Sequence, residues 1–250
     1  FLNNSSGGGG GLFARESNIT VENCIFNGNT AGYGGGIFCG NGTSPTLINL
    51  IVKDNHGGWG GGIYIAHYTS ATIKDVMITD NTATGFGGGV AVDYDSHVYF
   101  ENVQIVNNSA DGGGGFFSRH SEIDLINTTI SHNTSFYNGG GVYSEDNIIY
   151  MTNVLVANNT GGQGPIADGG GIFSEFSTLN IQSSIIDNNN CTGRGGGLFI
   201  ESSNADIINT EIKNNFSGRR GGGLFSELSN LNMSYGVISG NSGPSGGGIE

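Results

Sequence analysis

Apolar and polar positions alternate in short bursts along this chain, and the bursts return about every 26 residues. Each burst starts just after a run of glycines. A large apolar residue comes first (Leu12, Ile37, Ile63, Val90, Phe116, Val142, Ile172, Leu198, Leu224, Ile249). An aromatic residue comes second (Phe13, Phe38, Tyr64, Phe117, Tyr143, Phe173, Phe199, Phe225), with Ala91 the exception. A mostly small position and a frequently charged one complete the burst, and this period-2 alternation predicts a short strand. A second strand follows after a few polar residues, carrying pairs such as Ile19/Val21, Val98/Phe100 and Leu231/Met233. A third ends in an apolar-x-x-Asn signature whose asparagines are Asn29, Asn55, Asn81, Asn108, Asn133, Asn159, Asn189, Asn215 and Asn241.

Three short strands per coil, separated by bends, predict an all-β parallel β-helix with a single-stranded right-handed winding. The last glycine of each run falls at Gly11, Gly36, Gly62, Gly89, Gly115, Gly141, Gly171, Gly197, Gly223 and Gly248. That gives about nine coils in one repeat domain, residues 1–250, expected to be a piece of a longer solenoid. Strands stacked about 4.8 Å apart make this a rod of roughly 43 Å. Stacking also puts identical side chains above one another, so the asparagine column predicts a ladder of amide hydrogen bonds along the rod. Asn tolerates left-handed backbone at a sharp bend, and glycine permits a corner where a Cβ would be strained. A weaker column (Asn23, Asn49, Asn102, Asn127, Asn153, Asn209) precedes the third strand and is interrupted by Asp75, Ser183 and Tyr235. One step is longer than the rest and places extra residues around Thr160–Asp168, which reads as a tolerated surface bulge with little chemistry of its own.

Composition narrows the function. Glycine is 48 of 250 residues without a Gly-X-Y period, which excludes collagen, and 36% hydrophobic residues is too many for a disordered linker. Only 12% of residues are charged and the formal net charge is −13, leaving no footprint for nucleic acid. No apolar run approaches a membrane span, so direct membrane insertion is not expected. Cys24, Cys39 and Cys191 are an odd number without metal-ligand spacing, so at least one lacks an intrachain partner, and Cys24 and Cys39 read as small buried residues.

The columns resemble the polymorphic outer-membrane-protein repeats, marked by a Gly-Gly-Ala-aliphatic tetrad and a Phe-x-x-Asn tetrad. The second tetrad is literal in Phe26-Asn27-Gly28-Asn29 and elsewhere reads Val- or Ile-x-x-Asn. The first appears as Gly-Gly-Gly-aliphatic. The resemblance runs the full length and implies a right-handed parallel β-helix of a surface protein; such repeats occur in adhesins, autotransporter passengers and eukaryotic surface proteins.

The aromatic column is the main surface candidate. If the preceding apolar column faces inward, alternation turns Phe13, Phe38, Tyr64, Phe117, Tyr143, Phe173, Phe199 and Phe225 outward as an interaction stripe. The competing arrangement is a bulge at the glycines that turns the rings inward as a core stack. Beside it runs an acidic series, Asp93, Glu145, Glu175, Glu201 and Glu227, read as a solvated face. Glycan cleavage needs clustered carboxylates on one face. Asp54 and Asp80 occupy equivalent positions, but the column continues as Asn107, His132, Asn158 and Asn188, so both read as bend residues. His56, His67, His97, His120 and His132 fall in different columns, which argues against a metal site. Among eleven Asn-x-Ser/Thr sequons, Asn18, Asn41, Asn190 and Asn232 best fit outward or bend positions for glycosylation.

The expected function is that of an extracellular or cell-surface structural and adhesive rod, not an enzyme, without metal or cofactor. Its expected partners are further copies, end to end or side by side, and glycans. The alternative is a carbohydrate-active enzyme or carbohydrate-binding module on the same scaffold.

Overall fold

The computed structural model describes residues 1–162, 164 and 167–250. Among the described residues the chain forms four nine-stranded parallel sheets. Sheet I follows the glycines, from Leu12–Arg15 to Leu224–Glu227. Sheet II runs from Thr20–Glu22 to Asn230–Ser234, and sheet III from Ile25–Asn27 to Val237–Ser239. These are the three expected strands of each coil. Sheet IV, from Ser5–Gly8 to Phe216–Ser217, is a fourth that the pattern did not reveal. Its later strands, such as Thr82–Ala83 and Ser109–Ala110, are two residues long. Two residues cannot display a period, and only pairing with the neighbouring coil makes them strands.

Register is constant: Ile63 pairs with Ile37 below and Val90 above, and Ile78 with Val52 and Ile105. The interior is therefore built of columns. Ile37, Ile63, Phe116 and Leu198 from sheet I meet Leu47, Phe100 and Ile207 from sheet II and Phe26, Ile105 and Ile212 from sheet III, all fully buried. Each such side chain contributes about 1.5–3 kcal/mol on burial, and one core runs the length of the rod.

The corners follow from backbone sterics. Between sheets II and III, Asn23, Asn49, Asp75, Asn102, Asn127, Asn153, Ser183, Asn209 and Tyr235 all have φ between 49 and 56°. The column shares a left-handed conformation, and Asp75, Ser183 and Tyr235 belong to it as fully as the asparagines do. Asn dominates because its short polar side chain tolerates that region best. The glycine corner is tighter. Gly60 is left-handed at φ 60°, and a Cβ on Gly61 would clash with the carbonyl oxygen of Thr82 in sheet IV. Sheet IV and sheet I are thus pressed together through bare backbone, which sets the residue before the glycines beside the outward face of sheet I.

The extra segment around Thr160–Asp168 includes Gln163, Pro165 and Ile166, which lie outside the described residues. Its described end is buried, with Asp168 6% exposed.

Candidate binding surface

The asparagine column forms the expected ladder. Each member accepts at Oδ1 from the backbone N–H and the side-chain Nδ2 of the coil below: Asn81 N and Nδ2 lie 3.0 Å from Asn108 Oδ1, and Asn133 N and Nδ2 lie 2.9 and 3.0 Å from Asn159 Oδ1. Nδ2 also donates to a carbonyl one strand back, as Asn133 does to Ile105 at 2.9 Å. The same bonds run through Asn29, Asn55, Asn159, Asn189 and Asn215 to Asn241, and Asn4 extends them by one step. These side chains are wholly committed to structure, including the sequon asparagines Asn133 and Asn215, both fully buried.

A second ladder went unseen in the sequence. At the bend between sheets I and II, backbone N–H groups of Thr69, Ser96, Ser121, Asn147, Ser177 and Ser203 donate to the side-chain oxygen one coil on. Thr, Ser and Asn alternate in this column, so its identity lies in an oxygen at one reach, a signal weaker than a repeated letter.

The aromatic column points outward, as alternation requires, but most of it is covered. Phe38, Tyr64, Phe117, Phe173, Phe199 and Phe225 are all less than 9% exposed and Tyr143 is half-buried, while Phe13 is 52% exposed. The continuous exposed stripe is therefore corrected: neither a free stripe nor a stack inside the coil, the rings form separate clusters outside the main core. Over the middle coils the cover is Trp59 and Phe86, 5.5 and 4.8 Å from the Phe117 ring. These are the residues that the tight glycine corner sets beside sheet I. Arg119 lies over Trp59 at 5.6 Å and over Tyr94 at 5.9 Å, and its guanidinium grips Asp93 through two bonds of 3.2 and 2.8 Å. That hydrogen-bonded carboxylate raises the Arg119 pKa against the cost of desolvation. Over the last coils Phe173, Phe199 and Phe225 stack almost parallel, at 4.9 and 5.5 Å. Arg194 sits 4.7 Å from Phe199 and 5.0 Å from Phe225. It is held by Asp168 at 2.8 Å and Glu227 at 2.9 Å. The inserted segment, expected to carry little chemistry, thus supplies the carboxylate that anchors this cover.

Among the described residues it is at the first coils that the cover is incomplete, and Phe13 stands open there. A groove of about 350 Å³ is lined by Gly7, Gly8, Phe13, Tyr33, Phe38, Tyr64, His67 and Tyr94. Three ring pairs form its sides: Phe13 on Phe38 at 4.7 Å, Tyr33 on Tyr64 at 5.6 Å and His67 on Tyr94 at 4.5 Å. Burial, and then Asp93, push the Tyr64 phenol well above its ordinary pKa, so its hydroxyl keeps its proton. A larger and shallower hollow of about 480 Å³ lies at the bend of the middle coils. It holds His97, paired to Asp124 at 2.9 Å, and His120, paired to Asp146 at 3.4 Å. Exposed pairs of this kind contribute about 0–1 kcal/mol each.

The remaining sites distribute simply. Asp54, Asp80, Asn107, His132, Asn158 and Asn188 share a left-handed corner with φ of 52–59°, a conformation that favours short polar side chains such as Asn and Asp. Asp93 is buried against Arg119, while Glu145, Glu175, Glu201 and Glu227 pair in register on successive coils. Among the described residues no group of three or more His, Cys, Asp or Glu could hold a metal ion. Asn18, Asn190 and Asn232 are exposed and Asn41 is half-buried. The Asn232 amide donates to Asp206 at 2.9 Å, and Asn18 accepts from the Ser44 N–H at 2.7 Å. Cys39 and Cys191 are buried free thiols whose pKa burial pushes up to about 12, and Cys24 is a half-buried free thiol.

Residues 2–130 match the family model described as a right handed beta helix region. No curated protein and no solved structure matches the chain.

Proposed function

The chain belongs to the right-handed β-helix family, and on that premise we propose that it is an extracellular structural and adhesive repeat protein. It acts as a stiff rod whose long faces make contacts with further copies or with surface glycans. The observation that carries this reading is the asparagine ladder, in register from Asn4 to Asn241 with two amide bonds at every step. A column of buried amides, each satisfied only by the coil next to it, penalises any bend or slip between coils. The low charge and the Asn-, Ser- and Thr-rich surface support an extracellular setting, with Asn18, Asn41, Asn190 and Asn232 as its glycan attachment points. The exposed column Ile25, Ile51 and Met77 on sheet III, 38–47% accessible, supports side-by-side contact.

Electron microscopy of dilute protein, paired with an assay for new reducing ends on incubated polysaccharides, tests the proposal. Straight rods of uniform width with no product are expected. Flexible or collapsed particles would overturn the rod, and catalytic release of sugar ends would replace the adhesive reading with an enzymatic one.

A further inference from the structure

Among the described residues Phe13, at 52%, is the one fully exposed ring of the sheet I column, and it is flanked by Tyr33 of sheet IV, 50% exposed, and Tyr94 of the following bend, 44% exposed. We infer that this groove is a binding subsite for a neutral pyranoside, an inference that rests on the reading of the molecule as a contact rod. Its geometry fits a sugar ring in three ways. The walls are flat: Phe13 and Phe38 lie within 9° of parallel, and His67 and Tyr94 within 7°. Flat π faces accept the C–H face of a pyranose and leave hydroxyls free at its edge. Those hydroxyls meet the phenol groups of Tyr33, Tyr64 and Tyr94 and the ring nitrogens of His67, all of them in the lining. The volume of about 350 Å³ lies at the lower end of the range for small-molecule sites, suited to one or two sugar units.

Charge selects against other ligands. No Asp, Glu, Lys or Arg lines the groove, and Asp93 beside it is already neutralised by Arg119. With a chain net charge of −13, a uronic acid, a phosphate or a nucleotide gains no counter-charge there. A neutral ring that needs stacking and hydroxyl partners is what remains. Bare backbone at Gly7 and Gly8 forms one wall, and a Cβ on Gly7 would meet nothing within 4 Å. A ligand therefore reaches the rings past an edge without side chains, and a leucine at Gly7, within the lining, narrows the mouth of the groove without a clash at its Cβ.

The single tryptophan, Trp59, reports on the site because its ring lies 6.5 Å from Tyr64. The test is a fluorescence titration of the full chain with cellobiose, maltose and N,N′-diacetylchitobiose, with sedimentation run in parallel. Saturable binding of at least one disaccharide is expected in the millimolar range, about −4 kcal/mol. Tyr33→Ala, Tyr94→Asn (a residue suited to the left-handed backbone there) and Gly7→Leu should each weaken it at least about tenfold. Their melting curves should match the parent, and Phe216→Ala, an exposed ring on sheet IV, should bind normally. No saturable response to any of the three sugars overturns the subsite, as does binding that all three groove variants leave untouched. A parent dimer that Gly7→Leu dissolves would also overturn it, by giving the groove to a second copy. Straight rods without sugar binding remove the subsite alone, whereas loss of the rods removes the reading beneath it.

Discussion

Between Phe13 and Tyr64 the outward rings of sheet I border an open groove, whereas between Phe173 and Phe225 the same column lies under Arg194. Both stretches have the same strand, the same parity and the same glycine corner. The difference comes from a few residues that do not repeat: Trp59 and Phe86 ahead of the glycines, Arg119 on Asp93, and Arg194 on Asp168. A repeat scaffold fixes where a side chain points. Whether it is reachable is decided by side chains from neighbouring coils, and accessibility can thus vary along a rod whose backbone does not.

That separation is broken most severely by a change in the part both stretches share. Asn133→Ala removes the Nδ2 bonds to Asn159 Oδ1 and to the Ile105 carbonyl and takes from the Asn108 N–H and Nδ2 their shared acceptor, while the backbone N–H bond to Asn159 remains. Several buried groups are left unpaired, so a loss of about 4 kcal/mol is expected. Denaturant unfolding measures the loss, and hydrogen exchange should show amides on both sides of the break losing protection. Protection lost only in the coil of Asn133 would mean that the coils hold together without the ladder.

Removing a cover is the next largest effect and acts on one stretch alone. Arg119→Met leaves Asp93 buried without its cation, which costs about 3 kcal/mol because the guanidinium was itself 28% exposed and partly screened. Adding Asp93→Asn should recover most of that loss while leaving Trp59 uncovered on one side. The double variant should then show a red-shifted, more quenchable Trp59. A double variant as unstable as the single one would show that Arg119 acts by packing on Trp59 and Tyr94 rather than through its charge.

How much of this could be read from the sequence follows the same division. The coil length, the inward columns and the Asn29–Asn241 ladder were legible because each repeats the same residue type at the same reach. Sheet IV was not, since two residues such as Thr82 and Ala83 have no pattern until they pair with Ser109. The outward direction of the rings was legible from alternation, but their burial was not. It depends on Trp59 reaching Phe117 and on Asp168 reaching Arg194, contacts between different coils that the repeat pattern does not announce. The open groove is the complement of those covers, and sequence pattern alone gives no way to subtract them.

The smallest effect bears on the edge of the covered stretch, where Glu145, Glu175 and Glu201 stack in register and the open stretch has no equivalent. Burial, then Glu201 and Glu145, raise the Glu175 carboxyl above its ordinary value. The folded chain therefore holds this proton more readily than the unfolded chain. For a raised carboxylate the contribution is most favourable when protonated, and stability falls as pH rises through the folded pKa. Glu175→Gln removes that loss: at neutral pH it should add about 0.5 kcal/mol, or roughly 1–2 °C in melting temperature. The gain should shrink in high salt, which screens the column, and vanish at pH values below the ordinary carboxylate range, where Glu175 is neutral in both states. A loss of stability in Glu175→Gln at neutral pH would instead mean that the column is held by a cation, and that the acidic edge, like the rings beside it, is a covered feature.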